Sequence, residues 1–143
     1  MRRRCAAVIA LAVTVACVSS CGSETATAPA VVVTSVAGTW DLTSVNARAL
    51  PFTFQTADPR LDLLSKRFII TDAGTFSYSY SVKATDVDGT VTTTNKTDTG
   101  TDVLAANVVT FVFRSDGTTV TATVTNTTMT IENGMYSQAF TKR

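Results

Sequence analysis

The chain has 143 residues, 45 % of them hydrophobic and 16 % charged, enough for one domain and a short tether. It contains no histidine, which removes the usual general base, the usual zinc ligand and every Ser-His or Cys-His nucleophile pair. With Arg2, Arg3 and Arg4 set aside, nine Lys and Arg face eleven Asp and Glu. That net charge of −2 offers no basic footprint for nucleic acid.

Those three arginines open the chain as a positive n-region, and Cys5–Cys17 follows as an apolar run of 13 residues. A membrane-spanning helix needs about 20, so the run reads as the h-region of an export signal. It ends in Val18-Ser19-Ser20-Cys21, which resembles the lipobox of bacterial lipoproteins. The resemblance implies that residues 1–20 are removed as a signal peptide and that Cys21 becomes the acylated first residue, carrying palmitate-type chains. Two or three such chains hold a protein firmly at a membrane. Gly22, where an aspartate would favour inner-membrane retention, implies an outer-membrane location in the cell envelope of a Gram-negative cell.

Residues 21–37 read as the lipidated N-terminus and a tether. The stretch Gly22–Ala37 begins small, polar and proline-containing and cannot bury much surface. Val31, Val32 and Val33 either join the tether or cover an end of the domain. Beyond the leader Cys21 is the one cysteine, so no internal disulfide forms and stability must come from core packing. The 28 threonines suit extended, pleated backbone.

From residue 38 to 143 the pattern is short strands separated by turn residues. Thr39–Asn46 alternates, with Trp40 and Leu42 on one face; Phe52 and Phe54 alternate after Pro51. Asp58-Pro59 followed by Arg60–Leu64 predicts one or two helical turns, capped by Asp58. Lys66–Thr71 is a strand. Thr75–Lys83 is the clearest, with Phe76, Tyr78, Tyr80 and Val82 on one face and Ser77, Ser79 and Ser81 on the other. Thr90–Thr97, Val108–Phe113, Thr118–Val124, Thr127–Glu132 and Tyr136–Thr141 complete the run, with a longer link expected over Gly100–Asn107. Asn133-Gly134 predicts a two-residue type I′ turn. About eight strands in a meander have two costly edges, which closure into an up-and-down antiparallel β-barrel removes. A β-sandwich is the alternative.

Gly38-Thr39-Trp40, and the wider Gly38–Asn46 followed by Leu50-Pro51, resemble the opening of bacterial lipocalin-like lipoprotein domains. The resemblance implies that Trp40 packs across the closed end of a barrel and that a basic residue of the last strand, Lys142 or Arg143, lies over it. The Thr-Asp-Tyr signature of the transport lipocalins is absent, Thr101-Asp102-Val103 standing in its place. A lipocalin-like barrel implies a small hydrophobic ligand held inside, and the inward aromatics Phe76, Tyr78, Tyr80, Phe111 and Phe113 are the candidate lining. The alternative is a filled barrel acting as an envelope structural or interaction protein. No nucleophile elbow, phosphate loop or paired-carboxylate constellation appears, so no catalytic residue, cofactor or metal site is assigned. Asp86-Val87-Asp88-Gly89 has too few oxygen ligands for calcium and reads as a hairpin turn.

Overall fold

The computed structural model describes residues 32–143, and the leader and Cys21 lie outside them. The described chain forms ten strands: β1 (Gly38–Val45), β2 (Arg48–Ala49), β3 (Phe52–Gln55), β4 (Arg60–Ile70), β5 (Thr75–Thr85), β6 (Val91–Ala105), β7 (Val108–Phe113), β8 (Thr119–Val124), β9 (Thr128–Glu132) and β10 (Ser137–Lys142). All pairings are antiparallel.

Strands β4 to β10 pair each with the next, β10 pairs with β1, and β1 closes the ring on β4 through Gly38–Asp41 against Arg67–Ile70. This is a closed eight-stranded up-and-down barrel. Closure satisfies the backbone groups that an open meander would leave at its edges. Beyond Asp41 the two closing strands separate. β2 then pairs with β1, and β3 with β4, in the space between them.

The helical turns expected after Asp58 are not present. Arg60–Leu64 begins β4 instead. Leu61, Asp62 and Leu63 alternate, and this segment pairs with both β3 and β5, so two ladders of hydrogen bonds outweigh a local capping signal. The long link expected over Gly100–Asn107 is also strand: β6 runs 15 residues to Ala105 and turns in two. Gly100 allows this because an added Cβ would lie 2.1 Å from the Val112 carbonyl oxygen and 2.6 Å from the Phe76 ring. At Asn133-Gly134 only Gly134 has positive φ, and the connection spans four residues between Glu132 and Ser137. Asn133 holds it by accepting the Tyr136 N–H at 2.9 Å. The two-residue turn with both φ positive lies at Asn46-Ala47 (φ 50° and 60°), between Val45 and Arg48, which pair.

The inward residues build one core. Phe68 stacks on Phe111 with ring centres 4.7 Å apart, Phe76 meets Phe111 and Phe113 edge-on at 5.1 Å, and Phe140 meets Phe68 at 5.5 Å. Val109, Val124 and Met129 are fully buried around them. Each large side chain so buried contributes about 1.5–3 kcal/mol against exposure, and no disulfide is needed among the described residues.

Candidate functional site

One end of the barrel is sealed. Val33, for which sequence left tether and end cover both open, and Val36, which composition places in the tether, are buried there, and Val33 N–H donates to Asn107 Oδ1 at 3.2 Å. Trp40 crosses this end without solvent exposure and donates its indole N–H to the Val36 carbonyl at 2.7 Å. Of the two basic candidates, Lys142 lies over the tryptophan, its Nζ 5.4 Å from the ring centre. Arg143 does not: its guanidinium turns to Asp41, which Arg67 also engages at 2.5 Å. Because Trp40 is inward and Asp41 outward on β1, residues 142 and 143 of the paired strand diverge in the same way. Gly38 is required because an added Cβ would sit 2.7 Å from Lys142 Cε, and its φ of +136° disfavours any side chain. The glycine, the tryptophan and the lysine thus form one closure.

The opposite end is open. A cavity of about 290 Å³ lies between the inner face of β4–β5 and the β9–β10 connection, with Val45, Phe52, Leu63, Val82 and Tyr136 among its walls. A smaller niche of about 130 Å³ continues beneath it to Phe68, Phe113 and Ile131. Tyr78, Lys66, Asn133 and Gln138 line both. A larger depression, about 590 Å³, lies over Gly100 and Val112, but no buried polar group lines it.

The five predicted ligand contacts therefore separate. Tyr78 and Tyr80 line the mouth, with ring centres 5.6 Å apart. Phe76 and Phe111 lie in the filled core beneath it. Phe113 sits at the junction, 5.3 Å from Tyr78 and edge-on to it. The lower barrel is packed, and only the upper end has space.

The residue not anticipated is Lys66. It points inward at the base of the mouth and donates to Gln138 Oε1 at 2.7 Å. Its Nζ stands 5.8 Å from the Tyr78 ring centre. Burial pushes its ammonium down to about 8 from 10.5, because a charge removed from water loses hydration that the site does not replace. Burial likewise pushes the Tyr78 hydroxyl up, aided by Tyr80 and Asp98. The alternation in Lys66-Arg67-Phe68-Ile69-Ile70 already carried the signal: counting back by twos from buried Ile70 and Phe68 puts Lys66 inside.

Charge elsewhere is neutralised differently. Asp62, on the opposite face of β4, accepts from Thr53 Oγ1 at 2.6 Å and Arg60 Nε at 3.0 Å and meets Lys83 at 3.2 Å. The Thr53 hydroxyl, with Lys83 and Arg60, lowers its carboxyl below the ordinary value against the cost of burial. Asp86–Gly89 forms the β5–β6 turn, where Thr90 N–H donates to Asp88 Oδ1 at 2.8 Å. No cluster of three or more metal-ligating His, Cys, Asp or Glu side chains occurs among the described residues.

Fold and site together define a closed eight-stranded antiparallel β-barrel, sealed at the Trp40 end and open above Lys66. A solved structure described as a lipocalin-like protein from Bacteroides uniformis ATCC 8492 is similar to it over 75 % of this chain and 97 % of that one, with 17 % identity and a TM-score of 0.41. No family model and no curated protein matches the chain in sequence.

Proposed function

We propose that the protein is a membrane-anchored binding module that holds a small, largely apolar ligand in the open mouth of its barrel. The observation that carries this reading is the cavity of about 290 Å³ with apolar walls and a few polar groups converging at its base, the usual make-up of a small-molecule site. The aromatic packing beneath favours a filled barrel for the lower half, so the ligand is confined to the upper end. Anchoring rests on the lipobox-like Val18–Cys21, with the tether carrying the domain clear of the head groups.

The neutral fluorophore 1-aminonaphthalene tests the binding reading. Its emission should rise and shift to the blue on titration with the protein, and Val82→Trp, which fills the mouth, should abolish the change. An unchanged spectrum, or a change that survives in V82W, favours the filled barrel of a structural or interaction protein. Anchoring is tested separately: Cys21→Ala should lose palmitate labelling and leave the membrane fraction.

A further inference from the structure

The mouth has one unusual feature for an apolar site: a part-buried cation with no counter-ion among the described residues. Among the described residues Lys66 makes no salt bridge, although Arg60, Arg67, Lys83 and Arg143 all do. The residues lining the mouth and the niche beneath include no carboxylate. The ionisable groups facing Lys66 are the phenols of Tyr78 and Tyr80 on β5 and of Tyr136 in the β9–β10 connection. Its hydrogen bond goes to the neutral amide of Gln138, which is itself buried. A buried charge left unpaired is costly, and a group that removes one water-facing ammonium for no internal partner is a candidate for an external one.

Size narrows the partner. The mouth of about 290 Å³ stands at the small end of the range of small-molecule sites. The floor below is closed by Phe68, Phe111 and Phe140, which are fully buried. A compact ligand fills the walled part of the mouth, and the carbon of a membrane-length acyl chain beyond that would extend through the open end into water and gain no further burial. One cation with no second basic residue beside it matches a monoanion rather than a phosphate dianion.

Building on the reading of the mouth as a ligand site, we infer that it takes a compact organic carboxylate. The head group meets Lys66 Nζ at the base, and the apolar body lies against Val45, Leu63 and Val82. The ligand supplies the negative charge that the fold leaves out. A charge-assisted hydrogen bond in such a site contributes roughly 1.5–3 kcal/mol, or about 10- to 100-fold in affinity.

Calorimetric titration of the protein at pH 7 with octanoate, 1-octanol, octylamine and palmitate tests this. Octanoate should bind at least tenfold more tightly than 1-octanol, octylamine should be weakest, and palmitate should gain nothing over octanoate. Lys66→Met should bring octanoate down to the affinity of 1-octanol while leaving 1-octanol unchanged. Equal binding of octanoate and 1-octanol to the unaltered protein overturns the inference yet leaves the apolar site standing. Palmitate binding far more tightly than octanoate overturns the size limit. Binding of neither, together with no response to 1-aminonaphthalene, removes the site itself.

Discussion

An inward, part-buried lysine whose ammonium is desolvated should leave a mark on stability that depends on pH. The fall of Lys66 from 10.5 to about 8 corresponds to about 3 kcal/mol at ~1.4 kcal/mol per tenfold in proton affinity. Below pH 8 the lysine is charged in both folded and unfolded chains, and the folded state bears the whole penalty. Between the two values the folded chain has released its proton while the unfolded chain still holds it, so stability rises with pH. By pH 9.5 about 2 kcal/mol should be regained. Above pH 10 Tyr78, whose hydroxyl the fold pushes up, ionises first in the unfolded chain and begins to reverse the gain. Lys66→Met should stabilise the protein at pH 7 by about 2 kcal/mol, the relieved penalty less ~1 kcal/mol for the hydrogen bond lost by Gln138. Urea unfolding of both proteins from pH 7 to 9.5 provides the measurement. A wild type whose stability stays flat or falls over that range, or a K66M protein that is less stable at pH 7, would refute the idea of an unpaired, desolvated ammonium.

Other substitutions probe the frame around the mouth. Gly100→Ala forces a methyl group to within 2.1 Å of the Val112 carbonyl oxygen and should cost about 3 kcal/mol or more in urea unfolding. Ala47→Gly, in the turn where φ is 60°, should gain about 1 kcal/mol by relieving left-handed backbone strain; a loss would show that Ala47 is not held there. Asp102 is buried with its Oδ1 unpartnered, and burial raises its carboxyl. Its folded form keeps the proton to higher pH than the unfolded form, so it costs stability once pH exceeds the ordinary carboxylate range. Asp102→Asn should therefore raise the melting temperature at pH 7 more than at pH 3.

Strand content was legible where one face is apolar and the other is Ser or Thr. Phe76–Val82 on β5 needed only its period of two, whereas Val108–Phe113 on β7 was legible as a short, almost wholly apolar run. The closed end was legible for a different reason: Gly38 and Trp40 act locally, and the structure supplies Lys142 as the third member. Arg143 was the wrong partner because adjacent residues of a strand face opposite sides. The start of β4 was misread because Asp58-Pro59 is a good helix opening in isolation, whereas pairing with β3 and β5 is decided by residues far along the chain. The turn at Asn46-Ala47 lacks the glycine that usually marks its type, and the Asn-Gly pair at 133–134 serves a longer connection. Filling is the property least visible in sequence. Phe76, Phe111, Tyr78 and Tyr80 carry the same inward pattern, and only their height along the barrel separates core from mouth.

That division between packed floor and open mouth can be read from methyl groups. In an isotope-edited nuclear Overhauser experiment on the protein with bound 1-aminonaphthalene, contacts are expected from the fluorophore to the methyls of Val45, Leu63 and Val82. Contacts reaching Val109, Val124 or Met129 would contradict it, because those side chains lie below the aromatic floor, where the barrel as described has no room for a guest.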